Sequence, residues 1–536
     1  MTEININNFK QKFPDIKKNI EAAKFIGIDL EFSALNPFTN YTPSLFDNPK
    51  ERYIKLRKNV ENTIPVQIGL TAFKFDADRN SFEGSAYTFY VKPGLFSHIN
   101  RYFLFETSAI EFLALHNFDF NKFFYTGIPY ISKIQEEGLL RKLKNDDVYE
   151  TNMNFCSNMQ PILDKVLKEA NEWYEEAKIG EILPLNDLTN RYVRDIEFKF
   201  FFHKYIRRNF GDVMVHLNEE QLLTLKKVAT QEIAQMNGYN DLNEEILDSL
   251  LGFTKVYKLL VSLKKPIIAH NALMDILILI TNFEGNLPSR YEDFKKLTME
   301  LFPIVFDTKH IYYEMRSKIP ENKQPSNSDL KTLFHYFRDG VGRHIAMLSP
   351  GIEVEGDKVA IGKFHDAGWD SFCAGYIFIR LAYLEIHGKH PLGKVFMPTE
   401  YLRGMFQYKN CLNVIRASIN YVNLNGADPA CKRPPLYVIE ACGSRKLDYM
   451  ELTTALSAFG SIEVKPISWR NNKALVAVDN YSSAKAMIRE FKKSERFKVH
   501  QYSSMRHSPV VRAAIWGSVT LSGITLLLLM RIVTNR

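Results

Sequence analysis

Cysteine is scarce in this chain. Its five residues, Cys156, Cys373, Cys411, Cys431 and Cys442, stand far apart, and none forms a C-x-x-C pair. That spacing excludes a disulfide framework and a structural zinc site, and implies a reduced, cytosol-facing protein. Internal repeats and low-complexity tracts are missing too. No basic region followed by an apolar one comes after Met1, so no secretory signal is expected and synthesis should finish in the cytosol. Charge of one sign does not dominate either: the net charge of +8 permits a polyanionic partner without demanding one. With 46% hydrophobic and 13% aromatic residues the composition is that of a folded chain, and 536 residues suit two to four domains.

What is present reads as mixed α/β order. Residues 5–23 carry helical spacing, and strand-like runs follow at 25–32, 65–74 and 86–92. Helical spacing returns from Thr107 to about Phe124 and from about Asn158 to Ala177. Residues 160–258 are dense in interleaved Glu and Lys with little strand signal, which predicts an inserted helical module. Short strands are expected at Pro266–Ala269 and Pro303–Phe306, a loop at Pro320–Ser328 and a helix over about 367–386. From Pro435 to Tyr502 a β-α-β-β-α-β order is legible, a ferredoxin-like module of the RRM type. The division is therefore 1–159 and 259–430 for one split domain, 160–258 for the insert, 435–503 for the RRM-like module and 513–530 for a terminal apolar segment.

Asp29 and Glu31 stand in the apolar run Phe25-Ile26-Gly27-Ile28-Asp29-Leu30-Glu31-Phe32. Side chains alternate along a strand, so the two carboxylates share one face while Ile28, Leu30 and Phe32 take the other. Burying unpaired carboxylates is strongly unfavourable, and a divalent cation between them removes the penalty. Taken alone, the pair also fits an edge strand whose polar face is wet.

Two further acids stand at strand-to-helix junctions. His270-Asn271-Ala272-Leu273-Met274-Asp275 follows a β-run and opens an apolar helix, placing Asp275 in its first turn, where ligand sites of α/β sheets form. Compensation of the helix dipole is the other reading for Asp275. In His365-Asp366-Ala367-Gly368-Trp369-Asp370, the histidine belongs to a loop and Asp370 to the first turn of the next helix, so the two converge from different directions. Here the other reading is a loop histidine beside a capping acid.

In order and spacing, FIGIDLEFSAL, ERYIKLRKNVENTIPVQIGL, FETSAIEFLALHNFDFNKFFYTGIPY, PIIAHNALMDILILI, FPIVFDTKHIY, HDAGWDSFCAG and NLNGADPACKRPP resemble the poly(A)-specific ribonuclease (PARN) branch of the DEDDh 3′–5′ exoribonucleases. The resemblance implies an α/β, RNase H-like DEDD core, to which the chain adds the helical insert, the RRM-like α+β module and, from its last apolar segment, a C-terminal transmembrane helix. It implies that Asp29, Glu31, Asp275 and Asp370 hold two Mg²⁺ ions, that His365 deprotonates the attacking water, and that nucleoside 5′-monophosphates are released from an RNA 3′ end. Asp307 and Asp366 fall off the matched positions and take structural or substrate-positioning duty. His270 and Asn271 support the Asp275 loop.

Two modules depart from the family pattern. The insert lacks the arginine followed four positions later by histidine that names the family's single-strand-binding domain: Lys199 precedes His203 and Asp212 precedes His216. The RRM-like module has Lys473-Ala474-Leu475-Val476-Ala477-Val478 where stacking aromatics would read bases. Trp469 falls at the family's cap-stacking position, and a half-buried structural tryptophan is the other reading.

Ala513–Met530 runs 18 residues without charge, about 27 Å as a helix, between Arg512 and Arg531. It is expected to be a tail anchor, and its modest hydrophobicity and basic flanks point to the mitochondrial outer membrane, with the endoplasmic reticulum as alternative. The membrane-anchored PARN-like branch then implies trimming of PIWI-bound piRNA precursors, a PIWI protein and a Tudor/KH mitochondrial scaffold as partners, and a possible homodimer. A membrane-bound mRNA deadenylase and a catalytically inactive adaptor are the alternative functions.

Overall fold

The computed structural model describes residues 1–96, 99–145, 160–189, 196–218, 220, 222–229, 238–345, 349–355, 363–390, 394–442, 446–467 and 472–534. Cys156 and Trp469 lie outside them. The chain divides into two compact units, residues 1–37 with 59–410, and residues 38–58 with 411–536.

The first unit is built on an eight-stranded sheet. Along it the order is Thr2–Ile4, Ser81–Pro93, Pro65–Asp76, Phe25–Phe32, Ile267–Ala269 and Val305–Asp307, with Ile128–Tyr130 and Gly351–Val354 also pairing with Ser81–Pro93. The Pro65–Asp76 strand runs antiparallel to both neighbours, and Ile267–Ala269 and Val305–Asp307 run parallel to Phe25–Phe32. The expected strands therefore form, in the mixed order of an RNase H-like sheet.

One helix, Ala367–His387, lies across this sheet and is buried along nearly its whole length. Its close seat depends on glycine. A Cβ at Gly69 would come within 1.7 Å of the Ala367 carbonyl oxygen, and one at Gly27 within 2.2 Å of that of Ser371. Polar groups then fix the helix along its axis: Gln67 Oε1 accepts the Ala367 N–H at 2.9 Å, and the Thr71 and Ser371 hydroxyls meet at 2.7 Å. Around it Phe25, Phe73, Phe82, Phe306, Trp369, Phe372 and Phe378 close the core.

The helical reading of residues 160–258 is corrected. The helices Gln160–Glu176 and Ile196–Asn209 form, but with them comes an antiparallel sheet in the order Ile182–Pro184, Leu223–Lys227, Val213–Leu217. Val213, Val215, Leu223 and Leu225 bury against Val166, Phe198, Phe202 and Ile206 in a core of their own. These strands are only three to five residues long, too short for alternation to stand out from the surrounding Glu and Lys. The helix Gly238–Leu251, assigned to the same module, instead sends Ile246 and Leu250 against Phe96, Ile131 and Leu139.

The second unit carries the RRM-like module, in the strand order Ile462–Pro466, Lys473–Val478, Tyr437–Ala441, Phe497–Gln501, with helices Tyr449–Ser457 and Tyr481–Phe491. All six expected elements form. Residues 38–58, read as part of the nuclease region, belong to this unit instead. They anchor there through buried Arg52, whose guanidinium donates to Asp47 at 3.0 Å and to the carbonyls of Ile415 at 2.6 Å, Ser44 at 2.8 Å and Arg416. On the sheet face away from the module's core, Glu463 accepts the Ser44 hydroxyl at 2.5 Å, the Leu45 N–H at 2.9 Å and the Arg416 guanidinium at 2.9 Å. Lys465 on the same face sits 4.5 Å from the centre of the Phe46 ring. Val438 and Ala477, which also point to this face, are buried. On the surface where an RRM presents its stacking residues, the chain's own residues 44–46 thus cover the edge at Glu463 and Lys465, while Lys498 and His500 on the Phe497–Gln501 strand stay exposed.

The expected transmembrane helix is also corrected. A helix forms over Pro509–Thr534, yet among the described residues no helix is long and apolar enough to cross a membrane. Ser518, Thr520, Ser522 and Thr525 break the run, each hydroxyl turning back onto a carbonyl three or four residues earlier. Uninterrupted apolar runs are only five residues long, Ala513–Gly517 and Leu526–Met530.

Candidate active site

Asp29 and Glu31 project from the same face of the Phe25–Phe32 strand, opposite Gly69 and Gln67 on the neighbouring strand. Glu31 is buried and Asp29 half-buried. Asp275 reaches them from the first turn of Leu273–Phe283, where it is buried and accepts the backbone N–H of Leu30, the residue between the two strand acids. The turn that presents Asp275 is held by Asp307, whose carboxylate accepts the N–H groups of Asn271 at 2.9 Å and Ala272 at 3.0 Å while capping its own helix through Lys309 and His310. Asn271 sits there at φ +66°, the left-handed region.

Asp370 enters from the opposite side, in the first turn of Ala367–His387. Asp366 caps that helix through Gly368 and Trp369 and accepts the Thr88 hydroxyl at 2.6 Å. His365, at φ +65°, donates its backbone N–H to Asp370 Oδ2 at 2.9 Å, which fixes its backbone beside the site. Glu31, His365 and Asp370 each offer a ligand atom within 4.8 Å of one another.

Electrostatics mark the cluster as incomplete without a cation. Burial, then Asp370, Asp275 and Glu31, push the Asp29 carboxyl far above its ordinary range, and burial with Asp370 does the same to Glu31. Burial raises Asp275 to about 8, with Asp307 adding to it, and raises Asp370 to about 7. Asp370 Oδ1 is buried without a hydrogen-bond partner. An orphaned carboxylate oxygen among three other acids fits a hard divalent cation bound by oxygen ligands. The His365 imidazole moves the other way: burial, then His116 and Lys331, lower its pKa, which favours the neutral ring.

All five expected site residues are thus brought together, and Asp307 and Asp366 are caps that hold the turns beside them. His270 Nδ1 and the Thr308 hydroxyl share a hydrogen bond of 2.9 Å, behind the Asp275 loop. Several contributors were not read from the sequence: Gly69 and Gln67, which seat the Asp370 helix; Thr88, which steadies its cap; and His116, whose ring lies against His365. An isolated glycine in a strand pattern signals close backbone approach and was the available clue for Gly69. Nothing local marked His116.

Residues 4–378 match the model of the CAF1 family ribonucleases, more than half of the chain. The chain belongs to this family. It is 31% identical over 98% of its length to the pre-piRNA 3′-exonuclease trimmer of Bombyx mori, covering 98% of that protein. It is 26% identical to the poly(A)-specific ribonuclease PNLDC1 of Mus musculus, with 95% of each chain covered, and 27% identical to the poly(A)-specific ribonuclease PARN of Xenopus laevis, with 94% of this chain and 80% of that one covered. This CAF1/PARN-like chain is a 3′–5′ exoribonuclease.

Proposed function

We propose that this exonuclease trims the 3′ ends of PIWI-bound piRNA precursors and releases nucleoside 5′-monophosphates. The gathering of Asp29, Glu31, Asp275 and Asp370 beside His365, with Glu31, His365 and Asp370 at ligand distance, carries the chemistry. The likeness to the Bombyx mori trimmer over nearly the whole of both chains supports the substrate. Asp29, Glu31, Asp275 and Asp370 would hold two Mg²⁺ ions, which when bound polarise the scissile phosphate and offset its charge. His365 accepts the proton of the attacking water as the new oxygen–phosphorus bond forms and the bond to the 3′ oxygen of the preceding nucleotide breaks.

The partly covered sheet face of the RRM-like module, with no aromatic on its Lys473–Val478 strand, supports a substrate delivered by a partner rather than captured by this chain alone. A PIWI protein bearing the RNA, a Tudor/KH scaffold and possible pairing with a second copy belong to the same reading. So does work at the cytosolic face of the mitochondrial outer membrane, with the endoplasmic reticulum as alternative; fractionation of cells expressing the full chain tests the location. Trimming assays on poly(A), mixed-sequence RNA and PIWI-loaded RNA test the substrate. Efficient shortening of PIWI-loaded RNA of any 3′ sequence is expected, and strict dependence on adenosine would make the chain a deadenylase instead.

A further inference from the structure

A histidine that moves a proton is ordinarily oriented by a hydrogen bond that its second ring nitrogen donates to a carboxylate or a carbonyl. Among the described residues the His365 imidazole has no such partner. Its backbone is fixed, by the left-handed φ of +65° and the N–H bond to Asp370, but these do not set the rotation of the ring. What meets the ring is aromatic. His116 lies with its centroid 3.7 Å from that of His365, the planes tilted by 36°, and Phe112 meets His365 edge-on at 4.9 Å and 86°. His116 and Phe112 are four residues apart at the end of Thr107–Leu115, so they share one helix face, with centroids 4.6 Å apart. His116 is itself held: its N–H bonds to the Phe112 carbonyl at 3.2 Å, and the chain leaves the helix through Asn117 at φ +57°.

We infer that His116 is a positioning residue that orients the His365 ring by stacking, in place of the hydrogen-bonded acid or carbonyl that usually does so. The inference rests on the reading of His365 as the proton acceptor. It makes the flat face of the residue at 116 the property that matters. A planar ring at that position should serve without a titratable nitrogen, whereas a methyl group should let His365 rotate away from the attacking water. Misplacement of a reacting group by about 1 Å costs up to about 10²-fold in rate.

The test uses the full chain with its histidines isotopically labelled, and single-turnover and steady-state trimming of RNA in Mg²⁺. His116→Ala should lower kcat about 10- to 100-fold with KM changed less than about 3-fold, and should shift the ring resonances of His365 as the stacking neighbour is lost. His116→Phe should restore most of kcat and keep the His365 resonances displaced from the free-imidazole position. In a His365→Ala background, His116→Ala should add nothing, because the residue it positions is gone. Turnover unchanged in His365→Ala overturns the reading of His365 itself. Turnover lost in His365→Ala but kept in His116→Ala overturns the positioning role alone. Turnover equally low in His116→Phe and His116→Ala overturns stacking as the operative contact.

Discussion

Two sheets in this molecule carry carboxylates on a covered face, and they treat them in opposite ways. In the RRM-like module, Glu463 meets a hydroxyl, a backbone N–H and a guanidinium, and its charge is fully answered by residues of the same unit. In the nuclease sheet, Asp29 and Glu31 face Asp275 and Asp370, whose charges raise the pKa of both. The difference separates a charge used to hold two segments together from charges held ready for something outside the chain. Burial of a carboxylate is not by itself a functional sign; burial among like charges with an oxygen left over is.

The largest effect expected from breaking this contrast is at Asp370. Asp370→Asn removes one anion from the cluster and should reduce trimming by about 10³-fold or more, the size of the charge stabilisation a bound divalent ion provides. The same change should raise the melting temperature of the metal-free protein, because like-charge repulsion falls. A variant that trims normally, or one that melts lower without metal, would remove the cluster from the active-site assignment.

Next is the seat of the helix that carries Asp370. Gly69→Ala adds a methyl group where the Ala367 carbonyl already stands, and Gln67 and Ser371 would lose their register with it. Overpacking of this kind costs about 1–3 kcal/mol. The displaced Asp370 should lower kcat about 10²-fold. Denaturation and kinetics on one sample check both, and an unaltered kcat would show that the helix has slack at this contact.

The acids also make stability depend on pH. Asp275 at about 8 and Asp370 at about 7 stand above the values near 4 that carboxyls take in an unfolded chain. Between pH of about 4 and 8 the metal-free folded protein therefore holds protons that the unfolded chain has released, and its unfolding free energy falls as pH rises. The melting temperature without metal should be higher at pH 5.5 than at pH 8, and Mg²⁺ should stabilise more at pH 8. A melting temperature that rises with pH, with Asp275→Asn behaving as the parent does, would sink this account.

How much of this was legible beforehand follows from the range of each interaction. The strand holding Asp29 and Glu31, the first-turn positions of Asp275 and Asp370, and all six elements of the RRM-like module are written in local periodicity. The three short strands of the insert are not, since three to five residues carry too few alternations. His116 and His365 are separated by roughly half the chain, and only the fold puts their rings together. The displacement of residues 38–58 into the second unit has the same cause: Arg52 and Asp47 look like ordinary helix-surface charges until Ile415, Arg416 and Glu463 arrive. The terminal helix was legible as a helix, while its hydroxyl residues were underweighted in reading it as membrane-crossing.

The smallest effect on activity belongs to the other sheet. Glu463→Gln keeps the shape and removes the charge that holds Ser44, Leu45 and Arg416. Losing charge-assisted hydrogen bonds should cost about 1–3 kcal/mol. That loss should appear as faster proteolytic cleavage within residues 38–58, with kcat for trimming changed less than about 2-fold. RNA affinity should stay flat as well, because the face uncovered carries Leu475 and Ala477 and no aromatic on the Lys473–Val478 strand. A clear gain in RNA binding by Glu463→Gln would mean that the covered face is a masked reader of RNA, and the contrast between an answered and an unanswered charge would then divide two binding surfaces rather than a clasp from an active site.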